Sequence, residues 1–512
     1  MTQTFDRTDA PTTRETFESL DPSSGEVVAT FPVDGPAEVA AVVGQARVAA
    51  EWWAGLGFDA RRRRLKAWKG VIAREAMDLA DLVHRENGKP VTDALLEITL
   101  AVDHIEWSAK RAAKVLGPRR VASGMTALNQ AASLEYAPLG VVGVIGPWNY
   151  PVFTPMGSLA YALAAGNAVV FKPSEYTPAI GRWLVEAFGR AVPEQPVLSL
   201  VTGAAATGEA LCRSGVAKIA FTGSARTGRK ILASCADTLT PVLMECGGKD
   251  AMVVAADADV EAAADAAVWA GMSNAGQTCI GIERVYVADP VFDRFVAAVQ
   301  QKLASVRPGS DEDASYGPIT MPGQADVIER HVTDALDHGA TAVVGGRESV
   351  RRPYVDPVVL VDVPEDSPAL TEETFGPTLV VQRVADAEEG VDRSNDSRYG
   401  LAGSIFTGSK ARGMELARRM RTGMTSVNAV VAFASVPSLP FGGVGESGFG
   451  RIHGDDGLRE FTRPKAITRQ RFALPVPLLS FSRPASVTPM LGRALVLLHG
   501  RTKLKPPVVG GR

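Results

Sequence analysis

The 512-residue chain carries 22% charged and 46% hydrophobic residues at a net charge of −3, a balance that excludes a disordered chain and suggests no nucleic-acid partner. Its length exceeds the roughly 100–200 residues of one domain, so two or three lobes around a large core are expected. Cysteines at 212, 235, 246 and 279 form no C-x-x-C and no metal-like spacing with the six histidines, so neither a disulfide framework nor a metal site is expected.

The first residues lack an apolar leader, and no stretch reaches the ~18 apolar residues of a membrane span, so a cytoplasmic protein is expected. Residues 36–116 read as helical, with breaks at GLG (55–57) and GKP (88–90). From 141 onward, short apolar runs bounded by Gly and Pro alternate with alanine-rich amphipathic stretches. The alternation predicts strands at 141–145, 168–171 and 196–201, with helices at 153–165 and 180–191. That order is a doubly wound α/β sheet.

A strand at 217–221 then leads through GSARTGRK (223–230) into a helix-like segment. Backbone N–H groups there would hold a pyrophosphate, unless this is an ordinary βα turn. The alternation restarts at 252–254, passes a helix at 259–273 and recurs at 284–287, marking a second α/β lobe. GVGESG (443–448) fits the letter of a dinucleotide fingerprint, but it follows Pro440 and Phe441 and leads into polar RIHGDD. It reads as a loop. From Phe461 to Arg512 there is no Asp or Glu among Lys and Arg at 463, 465, 469, 471, 483, 493, 501, 503, 505 and 512, so the tail is a basic strip on an acidic body.

Three segments carry residue types suited to chemistry. NAGQTCI (274–280) sets Cys279 among small residues, where a nucleophile needs open space and neighbours that favour the thiolate. MECGGK (244–249) supplies Glu245, and PWNYP (147–151) supplies Asn149. Each also has a plain structural reading: a packing thiol, a carboxylate capping the 247–248 turn, and a turn asparagine.

Together with KPSE (172–175), FTGS (221–224), EETFGP (372–377) and PFGG (440–443), these segments follow one order from about Asp21 to about Lys465. In this the chain resembles the aldehyde dehydrogenase superfamily, in its NAD(P)-dependent, hydrolytic, non-CoA-acylating form. The resemblance implies an α/β fold of two doubly wound Rossmann-like lobes plus a small β oligomerisation segment. The NAD-binding lobe would comprise 1–118 and 139–247, and the catalytic lobe 248–450. A bridging segment would comprise 119–138 and 451–470, followed by a basic, apolar tail at 471–512. A hairpin at 119–138 would join subunits into a homodimer or homotetramer.

By the same resemblance Cys279 is the nucleophile, and Asn149 joins the Cys279 N–H in stabilising the oxyanion. Glu245, in the apolar PVLM setting of 241–244 that would raise its pKa, activates the hydrolytic water. Members that lack this glutamate pass the acyl group to CoA, so this chain is expected to release free acid. The cofactor set is Pro147, Trp148, Lys172, Ser174, Glu175, Gly223, Ser224, Gly228, Glu373 and Phe375. A carboxylate at Glu175 favours NAD by repelling a 2′-phosphate, while Lys172 and Ser174 keep NADP open.

Cys212 and Cys235 read as packing residues. Cys246 reads as a small apolar stand-in for the leucine common in the family, and Ser158 replaces a lysine implicated in proton relay. Residues 152–157 and 271–274 lack the arginine that grips succinate semialdehyde, and Arg284 reads as structural. With Tyr150, Phe153, Met156, Met272, Thr278, Ile280 and Phe433 as pocket, the substrate is expected to be an apolar aliphatic or aromatic aldehyde. The rivals are an NADP-dependent succinate-semialdehyde dehydrogenase and a noncatalytic binding protein reusing the fold. In the tail, 472–481 and 490–498 are apolar but too short to span a bilayer. They would either wrap a neighbouring subunit or touch an anionic membrane peripherally.

Overall fold

The computed structural model of the protein describes residues 14–476 and 478–500; the basic residues 501, 503, 505 and 512 lie outside the described residues. The chain divides into two compact units, one of Met1–Gly117 with Ala137–Arg463, the other of Pro118–Tyr136 with Pro464–Arg512.

In the larger unit, 36–116 folds as four helices, Pro36–Gly55, Gly57–Arg74, Ala76–Asn87 and Val91–Leu116. The breaks at Gly57 and Gly88 take positive φ, and a side chain at Gly88 would stand 2.6 Å from Pro318. A third break, at Glu75, has no Gly or Pro to announce it. These helices pack aromatic rings inward. Trp68 meets Phe188 edge-on at 5.3 Å, and the buried Trp53 donates its indole N–H to Leu163 O at 2.8 Å, the partner that a buried tryptophan requires.

The first sheet runs in the order Gly448–Phe449, Val242–Cys246, Lys218–Gly223, Val141–Ile145, Ala168–Lys172, Leu198–Leu200. All neighbours are parallel except the short Gly448–Phe449 edge. The strand order reverses beside Val141–Ile145, and the loops leaving that switch point form the crevice expected to bind ligands. Gly448 and Phe449 lie within the 248–450 segment yet pair with Glu245 and Met244 of this sheet. Residues 443–447 of GVGESG are a loop, as expected, with one 3₁₀ turn at Gly445–Ser447, and the final Gly448 opens the edge strand.

The second sheet has seven strands, in the order Thr341–Val344, Val358–Val361, Thr378–Val384, Arg284–Ala288, Ala251–Val254, Ala402–Phe406, Met424–Val427. It is parallel apart from Thr341–Val344. Its central strands are buried on both faces and rich in Val, as covered parallel sheets require.

Two helices of the first sheet start on carboxylates borrowed from elsewhere. Glu97 accepts from the N–H groups of Val152 and Phe153 at 2.7 and 3.0 Å, where the Phe153–Ala165 helix begins. Glu86 does the same for Ala179 and Ile180, both at 2.8 Å, at the Pro178–Ala191 helix. Neither helix has a capping side chain of its own, so these long-range carboxylates satisfy otherwise orphaned donors and complement the helix dipole.

The smaller unit holds most of a three-stranded sheet of Thr462–Gln470, Gln130–Pro138 and Arg119–Val121, followed by a helix at Val487–His499.

Candidate active site

A cavity of about 1390 Å³ opens at the carboxyl ends of the first sheet and is bordered by Pro147–Tyr150, Lys172, Glu175, Gly223, Ser224, Glu245, Cys279, Glu373 and Phe375. The sheet topology brings these sequence-distant residues to one wall.

Cys279 leaves a strained turn. Asn274, Ala275 and Gly276 hold φ of 53°, 56° and 68°, a left-handed run that costs about 1–3 kcal/mol for each non-glycine member. Surrounding bonds sustain it. Asn274 Nδ2 donates to Asn149 O at 3.0 Å, Gln277 Nε2 to Asn274 O at 2.9 Å, and Thr320 N to Gln277 Oε1 at 2.9 Å. A side chain at Gly276 would stand 2.0 Å from Gly376 O, so this position admits only glycine.

Asn149 is stitched to the same turn, because its Nδ2 donates to Gln277 O at 2.8 Å. One amide hydrogen is thereby committed; the second remains for an oxyanion. Its neighbour Tyr150 shares a 3.1 Å hydrogen bond with Thr278 Oγ1. Behind both stands Lys89. Its Nζ donates to Asn149 O at 3.0 Å, pairs with Glu97 Oε2 at 2.5 Å and lies 3.9 Å from the centre of the Tyr150 ring. Lys89 and Glu97 are buried. One ion pair therefore fixes the Asn149 backbone and caps the next helix. The sequence reading treated Gly88-Lys-Pro90 only as a helix break and missed it.

The expectation that Cys279 has neighbours favouring its thiolate is corrected here. The side chain is open to the cavity but surrounded by protein. Burial pushes the thiol up, the carboxyl groups of Asp250, Glu245 and Glu373 push it further, and the Ile280 N–H opposes them only weakly. The resting residue is a thiol.

Glu245 is buried at the end of Val242–Cys246, and its Oε1 has no hydrogen-bond partner. Burial holds its carboxyl well above the ordinary range, with Arg451 pulling it back. An unpartnered buried carboxyl facing a cavity calls for an explanation, and a water to be deprotonated supplies one. The loop of PFGG backs it, since a side chain at Gly442 would come within 2.7 Å of Oε1. The capping task at the 247–248 turn falls to Glu373, whose Oε1 accepts from Gly248 N at 3.1 Å; burial pushes Glu373 up to about 8. Any side chain at Gly247 would sit 2.0 Å from that carboxylate.

A second buried ion pair, also missed in the sequence, holds the 372–377 loop. Lys249 Nζ meets Glu283 Oε2 at 2.5 Å, and Glu283 accepts from the N–H groups of Thr374 and Phe375 at 2.8 and 3.0 Å. Phe375, at φ 53°, then presents its ring edge-to-face to Trp148 at 5.6 Å.

On the other side of the cavity Ser224 caps the Ala225–Ala236 helix, accepting from Thr227 N. The first-turn N–H groups beyond it have no intrahelical partner, as a pyrophosphate site requires. Lys172 Nζ lies 3.7 Å from Glu175 Oε2, and Ser174 Oγ 3.4 Å from it. This carboxylate at a strand end fits a ribose diol, so the chain has a cradle for the dinucleotide. Gly228 does not border the cavity. A side chain there would stand 2.6 Å from Met244 Sδ, so its smallness serves helix-to-strand packing.

The same cavity is also bordered by Asp93, Leu96, Leu100, Phe153, Val431 and His453, and by Tyr150, Thr278 and Ile280 from the expected substrate-pocket set. Met156, Met272 and Phe433 are buried and do not border the cavity. Met156 and Met272 belong to helices buried on nearly every face, where an apolar residue is as readily core as pocket. Ser158 is buried in the Phe153–Ala165 helix. Arg284 is buried too, donating to Lys249 O and Ser394 O, as a structural residue. His453 is a new feature: both ring nitrogens lack a hydrogen-bond partner, the His104 ring lies 3.8 Å away, and burial holds it well below the usual range and so neutral. Cys212 and Cys235 are buried in the Ala205–Arg213 and Ala225–Ala236 helices, and Cys246 is buried at its strand end.

The sequence matches the family described as "Aldehyde dehydrogenase family" over residues 9–467. It is 36% identical over 462 residues to the 4,4'-diapolycopene aldehyde oxidase of Methylomonas sp, covering 90% of this chain and 87% of that protein. It is 34% identical over 489 residues to a Mycobacterium ulcerans protein provisionally named succinate-semialdehyde dehydrogenase [NADP(+)] 2, covering 94% and 93%. Among solved structures, an aldehyde dehydrogenase from Brucella melitensis superposes with a TM-score of 0.86 at 30% identity, covering 90% of this chain and 95% of that one.

Proposed function

The chain belongs to the aldehyde dehydrogenase family, and from that premise we propose that this NAD(P)-dependent enzyme oxidises an uncharged, apolar aldehyde to its free carboxylic acid, with NAD preferred. The observation that carries the substrate class is the charge of the substrate-side wall. Asp93 borders it, with its carboxyl held up by burial. The lysine on that side, Lys89, is committed to Glu97, and burial keeps His453 neutral. Of the arginines bordering the same cavity, Arg229 and Arg398 pair with Glu446 and Arg330 with Glu372; beside Asp93, Leu96, Leu100, Phe153, Val431 and His453 a substrate carboxylate would find no free cation among the described residues and would pay its desolvation unrelieved. Leu96, Leu100, Phe153 and Val431 instead favour hydrocarbon.

The chain's own residues support the following sequence. The Cys279 thiol releases its proton to solvent, which is the H⁺ of the net equation, its sulfur adds to the aldehyde carbon, and the new oxyanion is met by Asn149 Nδ2–H, a donor of the kind that contributes about 3 kcal/mol. The Ser224 helix start, the Glu175 carboxylate and the Glu373–Phe375 loop would hold a nicotinamide cofactor, which when bound would supply the hydride acceptor. Glu245 then takes a proton from water, which attacks the Cys279 thioester and releases the acid. The net change is RCHO + NAD⁺ + H₂O to RCOOH + NADH + H⁺.

NAD is preferred because the Glu175 carboxylate would repel a 2′-phosphate; the neighbouring Lys172 is partly neutralised by it. The test is kcat/KM over a panel of straight-chain and aromatic aldehydes and succinate semialdehyde, each with NAD and NADP. Values rising with apolar bulk and highest with NAD are expected. A preference for succinate semialdehyde with NADP overturns the reading, and no turnover of any aldehyde makes the chain a binding protein.

A further inference from the structure

The Val487–His499 helix of the smaller unit is short, apolar and left uncovered. Met490, Leu491, Leu495, Val496, Leu497 and Leu498 are 41–68% exposed, and at 100° per residue they surround the helix rather than forming one stripe. In the proline-broken segment before it, Leu479 and Phe481 are fully exposed and Phe472 is 54% exposed. A soluble surface does not hold this much apolar area open without an occupant.

The charge of the segment indicates which. From Phe461 to Arg512 there is no acidic residue, while basic residues fall on both sides of the helix and at Arg493 within it. A second copy docking helix on helix would bring two basic strips together. An anionic lipid surface would meet the same charges with attraction. Spanning is excluded by length, since thirteen residues reach roughly 20 Å against a hydrocarbon core of about 30 Å, and no described helix is long and apolar enough to cross a membrane. We propose that the Val487–His499 helix and the exposed Phe472, Leu479 and Phe481 lie in the headgroup region of an anionic phospholipid bilayer, with Arg483 and Arg493 on the lipid phosphates. This does not rest on the substrate reading.

The test uses the full-length protein, sedimented with phosphatidylcholine vesicles made with or without phosphatidylglycerol. Binding only to the anionic vesicles, weakened by salt, is expected. Leu491→Ser/Leu495→Ser/Leu498→Ser replaces exposed side chains only, so fold, subunit number and turnover of a soluble aldehyde should be retained while vesicle binding falls by about tenfold or more. Arg483→Gln/Arg493→Gln should reduce the preference for phosphatidylglycerol several-fold. Absence of wild-type binding, or binding unaltered in the leucine variant, overturns the proposal. So does dissociation of the oligomer in the leucine variant without wild-type vesicle binding, which would make a second copy the occupant.

Discussion

At Cys279, burial and three carboxyl groups all act against ionisation, and at Glu245 burial acts in the same direction. In the proposed mechanism both groups act deprotonated. Raised pKa values therefore move the ascending limb of the rate profile to higher pH, and kcat/KM should climb through neutrality instead of levelling off at about pH 5, as it would with an ordinary carboxylate base. Steady-state rates between about pH 5 and 9 check this, and a flat profile refutes it. Cys279→Ala should abolish turnover while cofactor binding, measured by fluorescence quenching, persists. Glu245→Gln should retain a stoichiometric burst of NADH and lose steady-state turnover by about 10²–10⁴-fold, leaving a thioester detectable by mass spectrometry. Equal loss of burst and steady state would assign Glu245 another task. Cys279 and Glu245 were legible as candidates in the sequence because each sits in a short motif, NAGQTCI and MECGGK, that the family resemblance rests on. The protonation state of Cys279 was not, because Asp250, Glu245 and Glu373 approach it only through the fold.

Among elements, the Ala76–Asn87 and Val91–Leu116 helices matter through the ends they hold. Lys89 and Glu97 form a buried pair that fixes Asn149 and starts the Phe153–Ala165 helix. Removing one partner leaves a buried charge, so Lys89→Met should destabilise by about 3–5 kcal/mol in urea unfolding, and Lys89→Met/Glu97→Gln should recover part of that. In the single variant kcat should fall more than KM for NAD changes, since the oxyanion donor is displaced but the adenosine cradle is untouched. Proportional loss of both would indicate general unfolding. Element types were readable from period and punctuation: 141–145, 153–165 and 252–254 all formed as expected. Boundaries at long-range caps were harder. The helix expected from 180 begins at Pro178, where the capping Glu86 is 93 residues away from Ala179, and the strand expected at 196–201 shrinks to Leu198–Leu200.

For the whole molecule, buried carboxyls set the pH dependence of stability. Burial raises Glu86 to about 7 and Glu373 to about 8, from an ordinary 4.5. Between 4.5 and these values the folded chain holds protons that the unfolded chain has released, so their contribution is full below the unfolded value and is lost as pH rises. The melting temperature of the cofactor-free enzyme should fall between about pH 5 and 8, and Glu373→Gln should flatten part of that decline. A melting temperature that rises across this window would show that these carboxyls are ionised at no cost.

By itself the sequence determined what local pattern can carry: two α/β lobes from alternating apolar runs and the family from ordered motifs; that resemblance also singled out Cys279, Glu245 and Asn149 as the residues proposed for nucleophile, base and amide donor. Tertiary structure alone decided what depends on approach between distant segments. It bordered the pocket with Asp93, Leu96 and His453 in place of Met156, Met272 and Phe433, turned Gly228 from the cofactor to Met244, and buried Lys89 against Glu97. The physical reason is that periodicity reports which residues avoid water but not which surface they avoid it against. A buried methionine reads the same in a core as in a pocket, and an ion pair needs coordinates for both partners.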